Sequence, residues 1–155
     1  MNQSDPSPTA KPESATPTGA EVTPLITLRR ELHLHPELSG EETRTARLVA
    51  KHLKALGLDV QTEVGGHGVI GVLYGSRSGP TIAYRADMDA LPLQETRDKP
   101  YCSRHLGVSH ACGHDAHVAI ALGAAKRLVS QQNGLPGAVK FIFQPAEESL
   151  DGAQA

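Results

Sequence analysis

At Gly57 the spacing of apolar residues changes from helical to alternating, and that switch constrains the fold more than any other feature of the chain. Before it, Leu25, Leu28, Leu32 and His35 recur at helical spacing until Pro36, which cannot continue a helix. Thr23 followed by Pro24 reads as the N-cap and first position of that helix. Ser39 to Glu42 reads as a Ser-x-x-Glu capping box opening a second helix through Ala46, Val49, Ala50 and Leu53, with Gly57 as its stop. Arg44, Arg47, Lys51 and Lys54 fall on its other face, as a solvated side would. Beyond Gly57 the period is two. Leu58–Val64 and Val69–Tyr74 read as strands joined by the turn at 65–68, and Pro80–Arg85 as a third strand. A helix capped by Asp115 then shows Val118, Ala119, Leu122, Ala125, Leu128 and Val129 on one face, and Ala138–Phe143 closes the series as a strand. Alternating helices and strands with one tight hairpin predict an α/β fold whose mixed sheet is flanked by helices.

Residues 1–22 are Pro, Ser, Thr and Ala with few large apolar side chains, which predicts a disordered tail ahead of one ordered region, 23–155. The net charge of −2 gives no reason to expect nucleic acid or an anionic membrane as a partner, and the absence of Trp removes the best base-stacking platform. No apolar run approaches the roughly 18 residues of a membrane span. Without a leader pattern at the N-terminus the expected compartment is the reducing cytoplasm, where Cys102 and Cys112 would not pair. Gly66 to Gly71 formally matches G-x-G-x-x-G. That fingerprint needs a helix directly after the glycines, and here strand residues follow, so the stretch reads as a turn and no dinucleotide is expected.

Chemistry gathers in three places. In His110-Ala111-Cys112-Gly113-His114-Asp115-Ala116-His117, Cys112 and His114 stand two apart, and in extended backbone both would project to one side as a thiolate–imidazole pair for zinc or a similar ion. Asp87 and Asp89 follow the third strand, where α/β folds place function, although both could equally cap the turn before Pro92. Glu147 and Glu148 follow the last strand, one able to bind metal while its neighbour stays free as a base. A lone histidine is more often surface or hydrogen-bonded core than ligand, so His33, His35, His52, His67 and His105 are assigned to that class. The combination predicts metal-assisted hydrolysis. A divalent ion lowers the pKa of bound water from about 15.7 to roughly 7, and a neighbouring carboxylate takes the proton and returns it to the leaving amine.

Four motifs in order, R-R-E-L-H-L-H-P-E-L-S (29–39), R-A-D-M-D-A-L-P (85–92), H-A-C-G-H-D-A-H (110–117) and F-Q-P-A-E-E (143–148), carry a resemblance. The chain resembles, from about Leu25 to its end, the amidohydrolase branch of the two-metal exopeptidases. That branch contains the N-acyl-amino-acid amidohydrolases such as hippurate hydrolase and the plant auxin-conjugate hydrolases. The resemblance implies two divalent ions, manganese or zinc, with Cys112, His114 and Glu148 as ligands and Glu147 as general base. It implies a small N-acyl amino acid as substrate, with unblocked dipeptides as the alternative. Asp89 is similar to the aspartate that orients a metal-binding histidine two residues earlier. Asp87 stands in that histidine's place, leaving open whether either aspartate touches metal, and His110 matches the motif without a ligand role. Family members continue beyond the glutamate pair with two further His ligands and a dimerisation domain. The chain ends at Ala155, so an incomplete catalytic domain is expected, either a fragment or an inactive remnant, with homo-oligomers expected only where that domain is present.

Overall fold

The computed structural model describes residues 18–96 and 98–154; residues 1–17, the greater part of the expected tail, lie outside them. The elements run α1 (Gly19–Leu34), α2 (Thr43–Ala55), β1 (Asp59–Val64), β2 (Gly68–Tyr74), β3 (Arg77–Asp87), α3 (His114–Val129), a 3-10 turn (Gln132–Gly134) and β4 (Pro136–Gln144). The sheet order is β1-β2-β4-β3. β1 and β2 form the expected hairpin, β4 runs antiparallel to β2, and β3 pairs with β4 in parallel, so the sheet is mixed. The parallel pair is the one joined through a helix, as a crossover requires.

Burial along β2 and β4 alternates. Val69, Leu73, Val139, Phe141 and Phe143 are buried, whereas Ile70, Val72 and Ile142 between them are half-buried. The helices cover the first face. α2 packs on β1 and β2, α3 on β3 and β4, and α1 on α3. Leu53 of α2 and Val118, Ala121 and Leu122 of α3 complete this core. β3 is an edge strand and leaves Ile82 63% exposed beside a half-covered Tyr84. Among the described residues no helix is long and apolar enough to cross a membrane.

All three helix starts differ from the sequence expectation, and for related reasons. α1 begins at Gly19 rather than Thr23, because the Glu21 carboxylate accepts the backbone N–H and hydroxyl of Thr18 (2.9 and 3.0 Å). Residues 19–22 are therefore helix rather than tail, and Pro24 lies inside α1. α2 begins at Thr43 rather than after Ser39. Its first free N–H groups are satisfied from outside the helix: Glu37 accepts from the amides of Arg44 and Thr45 at 2.8 Å each. α3 begins at His114, so Asp115 sits inside the first turn instead of capping it. The stop at Gly57 is as expected, with φ +83°. On the basic face of α2, Arg47, Lys51 and Lys54 are exposed, whereas Arg44 pairs with Glu31 of α1.

Candidate metal centre

Parallel pairing of β3 with β4 carries Asp87 opposite Gln144, so the segments that follow both strands leave the sheet at the same end. Residues 88–91 and 145–148 meet there, and the turn before α3 reaches the same place. Cys112 and His114 do not sit on extended backbone. Gly113 between them has φ +97°, a conformation closed to most side chains, and it turns the chain so that His114 becomes the first helical residue. The two side chains meet through a turn rather than through strand alternation.

Asp89 is the buried hub. Its Oδ2 accepts the Ser39 hydroxyl at 2.7 Å and the Glu148 backbone N–H at 2.8 Å, while Oδ1 lies 3.2 Å from His114 Nδ1. The same Nδ1 is 2.9 Å from the Asp89 carbonyl oxygen. A carbonyl can only accept, so Nδ1 carries the proton and Nε2 presents its lone pair. Burial opposes ionisation of Asp89, but His114, the Glu148 N–H and Ser39 outweigh it and hold the carboxyl well below the usual range. Reciprocally, the hydrogen bond to Asp89 raises the pKa of His114 against the effect of burial.

Around His114, one ligand atom each from Cys112, His114 and Glu148 lie within 4.8 Å of one another. His114 Nε2 is 3.9 Å from Glu148 Oε1 and 3.7 Å from Glu147 Oε2. Glu148 Oε1 is buried and has no hydrogen-bond partner among the described residues. Desolvation, then the carboxylates of Glu148, Glu147 and Asp87, push the Cys112 thiol above its ordinary pKa. A divalent cation would satisfy that carboxylate oxygen and reverse the electrostatics that keep the thiol protonated. Thiolate, imidazole and carboxylate also form a donor set suited to zinc, so the residues fit such an ion.

Asp87, His114 and His117 form a second close set, with His117 Nδ1 3.6 Å from Asp87 Oδ2 and the His117 ring stacked on His114. With Nδ1 held by Asp89, His114 has one nitrogen to give, so the two sets are competing uses of the same atom rather than two complete sites. His110 is buried, and neither ring nitrogen has a partner among the described residues; burial depresses its pKa to about 4.

Several supporting residues were read from the sequence only as helix caps or as a surface or core histidine. Glu42 accepts the Ala146 N–H at 2.7 Å, and Ser39 serves Asp89 rather than a helix cap. Asp115, fully buried, binds His33 Nδ1 (2.6 Å) and Arg29 Nε (2.7 Å), and His33 Nε2 reaches Glu95 at 3.0 Å. His33 thus belongs to the hydrogen-bonded core class, and it ties α1 to the start of α3. The density of charged residues at 29–42, interrupted by few apolar ones, was the signal in the sequence for such contacts. A cleft of about 650 Å³ between α2 and the β1–β2 turn, lined by Arg47, Lys51, Lys54 and His67, is lined by none of these residues.

Residues 83–155 match the family model described as peptidase family M20/M25/M40. That stretch is similar to the family. A solved structure extends the likeness to most of the chain. Against an M20-family dinuclear metal binding peptidase of Bacillus subtilis, the structure gives a TM-score of 0.83 at 44% identity, covering 87% of this chain and 38% of that one. A probable hydrolase of Synechocystis is 51% identical over 130 residues, 83% of this chain and 33% of its own length. Hippurate hydrolase of Campylobacter jejuni is 51% identical over 128 residues, again 83% and 33%. The chain therefore spans about a third of the length of these curated relatives.

Proposed function

We propose that these residues form the N-terminal share of a metal-dependent amidohydrolase site that cleaves N-acyl amino acids at the amide bond. The observation that carries the reading is the convergence of Cys112, His114 and Glu148 around one point, with Glu147 beside them. Cys112, His114 and Glu148 would hold an ion of a two-ion centre, zinc or manganese. Such ions, when bound, supply Lewis acidity that makes water a competent nucleophile near neutral pH and favours charge on the attacked carbonyl oxygen. The chain's own residues do the rest. Asp89 keeps the proton of His114 on Nδ1 and the ring in one orientation. Glu147 is not needed as a ligand, so it can take the proton from the attacking water and pass it to the departing amine nitrogen. The dinuclear metal binding of the Bacillus subtilis relative and the hippurate hydrolase relative support this substrate class and ion number.

Two variants of the zinc- or manganese-loaded protein test the reading, with release of free amino acid from N-acetyl and N-benzoyl amino acids as the assay. Glu147→Gln should keep its metal content and lose about a hundredfold or more in turnover. Cys112→Ala should lose metal by elemental analysis. A Glu147→Gln protein as active as the wild type would remove Glu147 as the base, and unchanged stoichiometry in Cys112→Ala would remove the sulfur ligand.

A further inference from the structure

The glutamate pair sits on a turn that the backbone does not favour. Ala146, directly before Glu147, has φ +51°, a left-handed conformation that a residue with a Cβ avoids unless its surroundings impose it. Two buried carboxylates impose it here. Asp89 holds the N–H of Glu148, and Glu42, 104 residues earlier in the chain and fully buried at the start of α2, holds the N–H of Ala146. Glu147 lies between the two anchored amides.

We propose that Glu42 is a positioning residue for the metal centre, fixing through Ala146 where Glu147 and Glu148 present their carboxylates. This rests on the reading of Glu148 as a ligand and Glu147 as the base. Glu42 is an expensive way to make one hydrogen bond. Its Oε2 is buried without a hydrogen-bond partner among the described residues, a situation that costs folding free energy and that an apolar side chain of similar length would avoid. What the apolar side chain could not supply is the acceptor for Ala146. With Glu42 released, the Ala146 carbonyl still accepts the Gly152 N–H (3.1 Å) and the Ser149 hydroxyl (3.3 Å), but the Ala146 N–H loses its acceptor and the left-handed turn loses one of its anchors. The donors would then be aimed less accurately, as when an outer partner of a metal ligand is lost.

Three variants separate positioning from stability. Glu42→Met removes the acceptor and the buried charge together, so the fold should keep or gain stability. Zinc affinity should nevertheless fall about tenfold, and amide exchange at Ala146 should accelerate. Glu42→Gln retains an acceptor oxygen and should restore both to near wild-type values. Glu42→Asp, one methylene shorter, should behave like Glu42→Met and serves if the latter does not fold. A Glu42→Met or Glu42→Asp protein that protects Ala146 as the wild type does overturns the proposal. Glu148→Gln is the control on the underlying reading. If it leaves zinc affinity unchanged, the ligand assignment fails, and exchange at Ala146 alone decides whether Glu42 positions the turn.

Discussion

The layer between helices and sheet and the end of the sheet where β3 and β4 finish are both buried, yet they are built by opposite means. In the layer, Leu53, Leu73, Val118, Phe141 and Phe143 meet with no polar atom to satisfy, and any well-filled set of apolar side chains would serve. At the strand ends, Asp89, Asp115, Glu42, His33, His110 and His114 are all nearly excluded from solvent. Most of them are held there by specific hydrogen bonds to residues far away in sequence. The layer supplies most of the stabilisation through area removed from water. The polar end consumes part of it, since buried ion pairs seldom repay their desolvation in full. What the polar end contributes instead is aim: Asp89 stands behind both His114 and Glu148, and Glu147 lies beside them.

The largest effect expected is in the layer. Phe141→Ala should cost roughly 3–5 kcal/mol by denaturant unfolding, from lost transfer free energy and the cavity left behind. Zinc affinity of the molecules that remain folded should change little, because Phe141 belongs to the apolar layer. If affinity fell in step with stability, the division between a supporting layer and an aiming end would be wrong. Next comes Asp115→Ala, which strips buried His33 and half-buried Arg29 of their shared partner. A loss of about 3 kcal/mol is expected. Here zinc affinity should fall as well, since Asp115 anchors the first turn of α3, where His114 begins. Stability lost without any change in zinc affinity would reassign Asp115 to the supporting layer.

The same contrast explains what could be read in the sequence. The layer was legible because its information is periodic: apolar spacing located every strand, both elements of the hairpin and the buried face of α3, and from these the mixed sheet follows. Of the candidate site, the grouping was legible, since Cys112 and His114 stand two apart before a helix and Glu147 and Glu148 follow the last strand, and the fold brings the two clusters together. The supports were not legible. Ser39, Glu42 and Asp115 all match local helix-cap patterns, and none of the three makes the cap bond expected of it, because a distant partner competes for the same side chain: Asp89 for Ser39, Ala146 for Glu42, His33 for Asp115. A capping pattern states what a short polar side chain can do for its own helix and nothing about a better offer 50 to 104 residues away. Cys112 and His114 show the converse, since the sequence brought them together by strand alternation and the structure does so by the left-handed Gly113.

The smallest of these effects, and the one that probes the polar end by titration, concerns Glu95. Its carboxylate faces Lys99 and His33 and accepts the Ser103 N–H at 2.8 Å. Burial works against its ionisation, but Lys99, His33 and Ser103 together outweigh that and bring its pKa from 4.5 down to about 2. The folded value lies below the unfolded one, so on acidification the unfolded chain takes up this proton first, and acid draws the equilibrium toward it. The contribution of Glu95 is therefore complete above about pH 4.5 and disappears as the pH falls toward about 2. Glu95→Gln cannot titrate and should be less stable than the wild type near neutrality by about 1 kcal/mol, the scale of one net hydrogen bond. The gap between the two proteins should then narrow steadily as denaturant midpoints are followed from about pH 6 toward about pH 2, since the wild type alone loses the contribution. A gap that stayed constant with pH would mean that Glu95 acts by shape and neutral hydrogen bonding, as the residues of the apolar layer act by shape. Charge would then play no part in holding His33 against Asp115.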